Sequence, residues 1–99
     1  MKSNTNKTRP LFKKAASMLE RYGARKVAVF GSYARGEEDT KSDLDILVEF
    51  SGRKSLLDLV GMEMELSDAL KVKVDLLTEK SISPYLIDRI KKDAKVVYG

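Results

Sequence analysis

The sequence predicts an α/β (α+β) fold in which a small mixed β-sheet is flanked by helices. Segments with a helical spacing of apolar residues alternate with short runs of β-branched and aromatic residues, which are typical of strands. The second and third predicted strands are joined through a helix, and this connection favours parallel pairing. A chain of 99 residues has the size of one domain. We therefore expect residues 1–99 to form a single domain, with a disordered tail over 1–7.

The first half of the chain predicts a helix, a strand and a second, short helix. Apolar residues recur at steps of three and four over 9–22, and Gly23 follows as a stop signal. The segment KVAVF, 26–30, predicts a strand that runs into Gly31. Residues 32–36 predict a turn entering a short helix, and the polar loop GEEDTKS follows. The link to the next strand permits either direction of pairing.

The middle of the chain predicts a strand, a helix and a strand. The segment 43–50, called here the acidic strand, predicts a strand with an apolar face and a largely acidic face. The first face carries Leu44, Ile46, Val48 and Phe50, and the second carries Asp43, Asp45, Leu47 and Glu49. A helix capped by Ser55 is expected to run to about residue 70, and Met62 and Met64 on it would fill core gaps or a contact surface. The segment 71–77 predicts the third strand.

The end of the chain predicts a last helix, with Ser83 as its cap and Pro84 at its first position. The closing residues Val96, Val97 and Tyr98 either finish this helix or add an edge strand. Either outcome leaves the sheet flanked by helices.

The residue types that are absent limit the chemistry. The sequence contains no Cys and no His, which excludes thiolate nucleophiles, Ser-His-Asp triads and His-ligated metals. A catalytic site must therefore use carboxylates, Lys, Arg, Tyr or hydroxyls, and carboxylate oxygens favour Mg²⁺, Mn²⁺ or Ca²⁺. No apolar run approaches the roughly 20 residues that cross a bilayer, and the N-terminus lacks the pattern of a signal peptide. We expect a cytoplasmic protein without membrane contact.

Two aspartates in an otherwise buried strand are the first candidate site. Asp43 and Asp45 point the same way and lie about 6–7 Å apart along the strand. Carboxylates that close repel each other unless a cation compensates, and a divalent metal held by such a pair suits phosphoryl displacement. The alternative is that Asp43 caps the start of the strand while Asp45 pairs with Lys or Arg.

A glycine-serine turn precedes the acidic strand. Gly31 lets the backbone approach a ligand closely, and amides at the start of a helix attract phosphate. The Ser32 hydroxyl adds a donor. A Gly-Ser pair alone is usually an ordinary turn, so that the spacing to Asp43 and Asp45 is what makes it informative.

Together these residues carry a resemblance. The chain resembles the minimal nucleotidyltransferase family of the polymerase-β-type superfamily, whose signature has the form G-S-x-A-R-G-x₅-S-D-x-D. The positions that match it are Gly31, Ser32, Ala34, Arg35, Gly36, Ser42, Asp43 and Asp45. This resemblance implies a palm-like nucleotidyltransferase fold over nearly the whole chain.

The resemblance also implies roles for individual residues. Gly31 and Ser32 would hold the terminal phosphates of a nucleoside triphosphate. Asp43 and Asp45 would bind two Mg²⁺ ions, with Mn²⁺ as a substitute, and Asp75 would supply the third carboxylate and help deprotonate the acceptor. The alternative for Asp75 is a solvent-facing residue paired with a neighbouring lysine.

Arg35 has two interpretations of equal weight. It would contact nucleotide phosphate, or it would form an ion pair that holds the acidic loop 37–39. Ser42 is expected to bond the backbone ahead of the acidic strand.

The activity that the resemblance implies is transfer of AMP from ATP to a hydroxyl, with a tyrosine of a HEPN-domain toxin as the acceptor and an antitoxin role for this chain. Two alternatives stay open: a non-catalytic module that neutralises a partner by binding it, and a small-molecule transferase of the aminoglycoside type. A homo-oligomer is compatible with the sequence. Direct nucleic-acid binding is disfavoured, because the sequence shows no aromatic platform and no DNA-binding motif.

Overall fold

The structure, a computed structural model, describes residues 4–99 and shows alternating helices and strands in the predicted order. The expected tail over 1–7 lies partly outside this range, and residues from Asn4 onward are helical. The elements in chain order are α1 (Asn4–Arg21), β1 (Ala24–Phe30), α2 (Ser32–Arg35), β2 (Leu44–Phe50), α3 (Leu56–Leu70), β3 (Val74–Leu77), a one-turn 3₁₀ helix (Glu79–Ser81), α4 (Pro84–Asp93) and β4 (Lys95–Tyr98).

The four strands form one mixed sheet in the order β3-β2-β1-β4. The predicted parallel pairing of β2 with β3 is confirmed, whereas β1 pairs antiparallel with both β2 and β4. Residues 95–98 therefore form an edge strand, the second of the two alternatives for the end of the chain. The register places Asp45 of β2 directly opposite Asp75 of β3.

The two faces of the sheet bury different apolar clusters. Leu44, Ile46 and Val48 point into the main core, which α1 and α3 cover. Ala28, Phe30 and Leu47 point the other way and pack with Ile87 and Ile90 of α4. Because side chains alternate along a strand, Asp45 lies on the same face as Leu47. The acidic residues therefore sit on the α4 side of the sheet.

Helix α3 starts with the expected Ser55 cap and also protects the free edge of β3. The Ser55 and Asp58 side chains form a capping box. Further along the helix, Glu63 Oε2 accepts from the Leu76 amide at 2.7 Å and Ser67 Oγ accepts from the Val74 amide at 3.0 Å. These bonds satisfy edge amides that would otherwise be open to pairing with another chain.

Some helix and strand boundaries differ from those that the sequence predicts. Helix α1 extends ahead of Arg9 with Pro10 inside it, although proline removes a backbone hydrogen bond and usually marks a helix start. Strand β3 begins at Val74 rather than at residue 71, because Lys71 has the left-handed φ of 62° that ends α3. In the part of the chain that the structure describes, no helix is both long and apolar enough to cross a membrane.

Candidate active site

Gly31 places the backbone directly against the acidic strand. It joins β1 to α2 with φ 74° and ψ −155°, in a region that L residues with side chains rarely adopt. A Cβ built at this position would overlap Oδ2 of Asp45. Both the backbone conformation and the close approach therefore require glycine here. Ser32 follows as the first residue of α2 and is partly exposed.

Asp45 and Asp75 face each other across the parallel pair of strands. They are register partners, and both are half-buried. The pKa of Asp45 is raised from its ordinary 3.8 to about 6, chiefly by burial and then by the carboxylates of Asp75 and Asp43, while Arg35 opposes the shift. Asp43 lies one residue before β2 and is also half-buried. The structure thus brings the three predicted carboxylates into one electrostatic environment.

The raised pKa of Asp45 predicts a pH-dependent stability. Below pH 3.8, the ordinary pKa, the Asp45 carboxyl is neutral in both the folded and the unfolded state. Between pH 3.8 and about 6, the folded state holds a proton that the unfolded state has released. The unfolding free energy of the wild type should therefore fall, relative to Asp45→Asn, as pH rises through this window. The limit is about 1.4 kcal/mol per pKa unit, and solvent screening of the half-exposed side chain reduces it. Urea unfolding of both proteins in EDTA measures this difference, and parallel pH profiles would contradict the assignment.

The carboxylates fit a hard divalent cation by their chemistry. Oxygen donors suit Mg²⁺. Burial and then the neighbouring carboxylates raise the pKa of Asp45, and a bound cation would relieve the repulsion between these carboxylates. Within residues 4–99, no group of three or more carboxylates is arranged to hold one ion together. The two-metal site therefore stays a prediction, in which Asp43, Asp45 and Asp75 are the residues that would hold Mg²⁺.

Arg35 forms two ion pairs in the structure. Its Nε donates to Glu37 Oε1 at 2.9 Å, and its Nη1 donates to Asp93 Oδ2 at 3.1 Å. The predicted ion pair with the acidic loop is confirmed for Glu37. The second pair ties α2 to α4, and no sequence pattern predicts it, because Asp93 lies 58 residues away along the chain. The contact of Arg35 with nucleotide stays a prediction.

Ser42 organises the loop that leads into the acidic strand. Its Oγ accepts from the Asp39 amide at 2.9 Å, and it donates to Asp39 Oδ1 at 3.2 Å. The Lys41 amide donates to the same carboxylate oxygen at 2.8 Å. The expected role of Ser42 is confirmed, and these bonds fix the backbone just before Asp43.

Helix α4 contributes residues that the sequence did not assign to the site. A cavity of about 240 Å³ lies between α2 and α4 and opens beside Gly31. It is lined by Phe30, Gly31, Arg35, Leu86, Arg89, Ile90 and Asp93. The amphipathic pattern of α4 identifies its buried face, but nothing in that pattern shows that Arg89 and Asp93 lie near the glycine turn.

The family assignment follows from this arrangement and a direct match. Residues 12–97 match the nucleotidyltransferase domain family, and they include the glycine turn and all three aspartates. The chain belongs to this family. The prediction that it is a nucleotidyltransferase is confirmed, as is its resemblance to the minimal members.

Relatives support the assignment over most of the chain. A Methanocaldococcus jannaschii protein that bears the provisional name protein adenylyltransferase is 49% identical over 82 residues, which cover 83% of this chain and 88% of the relative. The protein adenylyltransferase MntA of Thermococcus cleftensis is 40% identical over 81 residues, which cover 82% of this chain and 80% of the relative.

Solved structures share the fold. A minimal nucleotidyltransferase, also provisionally named, aligns with a TM-score of 0.79 and 37% identity over 91% of this chain and 92% of its own. A toxin-antitoxin structure with AMP-PNP aligns with a TM-score of 0.77 and 26% identity over 88% of this chain and 73% of that chain. The predicted nucleotidyltransferase fold with a small mixed sheet is confirmed.

Proposed function

We propose that this nucleotidyltransferase is a Mg²⁺-dependent protein adenylyltransferase that moves AMP from ATP onto a hydroxyl, and that the acceptor is a tyrosine of a HEPN-domain toxin. The observation that carries the proposal is the contact of Gly31 with Asp45, which itself faces Asp75. Relatives named as protein adenylyltransferases support the reaction, and the toxin-antitoxin neighbour with AMP-PNP supports the nucleotide and the partner. We expect the chain to act as a single domain in the cytoplasm.

The reaction is an in-line displacement at the α-phosphorus of ATP. A bond forms between the acceptor oxygen and the α-phosphorus, the bond from this phosphorus to the α–β bridging oxygen breaks, and pyrophosphate leaves. Asp75 accepts the proton of the acceptor hydroxyl, while Gly31 and Ser32 hold the departing phosphates through backbone amide and hydroxyl donors. Mg²⁺ held by Asp43, Asp45 and Asp75 would neutralise charge on the phosphate oxygens.

Arg35 needs a change of partner to serve the nucleotide. In the structure its guanidinium forms ion pairs with Glu37 and Asp93, and the side chains of both residues are exposed. Ion pairs on exposed side chains contribute little to stability, so that a triphosphate could replace Asp93 at small cost. We propose that Arg35 contacts the nucleotide after this exchange.

A second candidate function is neutralisation of a partner by binding alone. Exposed apolar residues on α3 favour it: Leu57 and Met64 are 82% and 66% exposed. Met62, by contrast, is 3% exposed and belongs to the core, so that it does not serve a contact surface. The carboxylate pair Asp45 and Asp75 is unfavourable for stability without a cation, and a binding module has no use for it.

Label transfer distinguishes the two functions. The protein is incubated with Mg²⁺ and a lysate of its own source, with ATP labelled at either the α- or the γ-phosphate. Adenylyl transfer predicts a labelled protein band from α-labelled ATP only, lost when EDTA removes the metal. A band labelled from the γ-phosphate would indicate a kinase instead. The binding module would be favoured if neither label gave a band and the protein still bound a partner from the lysate.

A further inference from the structure

A second cavity lies beside α2 and contains none of the predicted site residues. It has a volume of about 340 Å³, within the range of ligand pockets. Its walls come from the N-terminal part of α1, from α2 and from β4. The nucleotidyl-transfer reaction uses no group in it.

The floor of this cavity is apolar and aromatic. The rings of Phe12 and Tyr33 meet edge to face with their centroids 6.4 Å apart. Val96 and Val97 of β4 also line the cavity, and Val96 is 54% exposed. An apolar side chain of a ligand could therefore be buried here.

The rim of the cavity is cationic. Arg9, Lys13 and Lys95 line it, all three are exposed, and no carboxylate is among the lining residues. The ion pairs seen among the described residues engage other cations. The charge of this surface is complementary to an anionic ligand.

One wall of the cavity is a sheet edge. β4 is the outer strand next to β1, so that one side of its backbone is available to an added strand. An extended peptide can pair with such an edge through its main chain and place alternate side chains in neighbouring pockets. This combination favours a peptide over a small anion, which would use only the cations.

We propose that the cavity bounded by α1, α2 and β4 binds an extended acidic segment of a partner protein. An apolar side chain of that segment packs on Phe12 and Tyr33, its carboxylates face Arg9, Lys13 and Lys95, and its backbone pairs with β4. The proposal is independent of the transfer reaction, because none of these residues has a role in it.

The test is a titration of the full-length, ¹⁵N-labelled protein followed by NMR. The probe is a short blocked peptide in which Asp and Glu alternate with Phe and Val, added to about 1 mM, and AMP is titrated separately. We expect saturable shifts of the Gly36, Lys95, Val96 and Val97 amides with the peptide. The variant Arg9→Glu/Lys13→Glu/Lys95→Glu should weaken binding about tenfold or more.

A matched control variant carries the same change of net charge elsewhere. Arg53→Glu/Lys80→Glu/Lys92→Glu replaces three exposed cations outside the cavity and should bind the peptide within about twofold of the wild type. Equal weakening in both variants would show a general charge effect and overturn the proposal. Shifts with AMP but not with the peptide would overturn the proposal in favour of a small-anion pocket. Peptide shifts confined to other surfaces would also overturn it.

Discussion

The double substitution Asp43→Asn/Asp45→Asn is expected to reduce label transfer from α-labelled ATP by at least about 10³-fold. Asparagine keeps the shape of each side chain but removes the negative charge that would hold the metal. The fold should persist, because burial and the neighbouring carboxylates already disfavour the ionised form of Asp45. The rate of label transfer, measured beside the melting temperature of the same preparation, checks both parts.

The matched control removes two carboxylates from a different surface. Glu65→Gln/Asp68→Asn changes exposed residues of α3 and should keep transfer within about twofold of the wild type. Transfer that survives the Asp43 and Asp45 substitutions would contradict the carboxylate site. Transfer lost equally in both variants would point to net charge rather than to these residues.

The sequence predicts the parts of the site that lie close together along the chain. Gly31, Asp43 and Asp45 fall within one turn and one strand, where side-chain alternation alone sets their direction. Asp75 is a candidate through the resemblance to the family, which implies a third carboxylate on a neighbouring strand. The helix between the strands predicts their parallel pairing, but only the structure gives the register that places Asp75 opposite Asp45. The local pattern thus gives the direction of Asp43 and Asp45, whereas the roles of these residues and of Asp75 rest on the resemblance to the family.

Contacts between distant elements could not be predicted in this way. The bond from Arg35 to Asp93 depends on where α4 packs, and the amphipathic pattern of α4 determines only its buried face. Glu63 interrupts an apolar helix face for a reason seen only in three dimensions, namely the bond from the Leu76 amide. Met62 and Met64 illustrate the same limit, because two residues of one type on one helix divide between core and surface.

The substitution Gly31→Ala is expected to reduce both stability and transfer. With φ 74° and ψ −155°, Gly31 lies in a backbone region that essentially only glycine adopts, and an alanine there costs about 1–3 kcal/mol. The new Cβ also overlaps the Asp45 carboxylate, so that Asp45 must move. A displacement of about 1 Å at a reacting centre can cost 10²-fold in rate. We expect a loss of transfer of about that size, measured below the melting temperature of the variant.

Gly36→Ala provides a control at the other end of the same short helix, which Gly31 precedes and Gly36 follows. Gly36 has φ 72°, close to the 74° of Gly31, but a Cβ at Gly36 would have no other atom within 4 Å. Gly36 lies in the left-handed helical region with ψ 24°, whereas Gly31 has ψ −155°, so that Gly36→Ala strains the backbone less than Gly31→Ala and does not disturb Asp45. A large loss of transfer confined to Gly31→Ala, measured well below the melting temperatures of both variants, would assign the catalytic effect to the approach of Gly31 to Asp45. Equal losses of transfer would show that the conformation of α2, rather than its contact with the acidic strand, determines the rate.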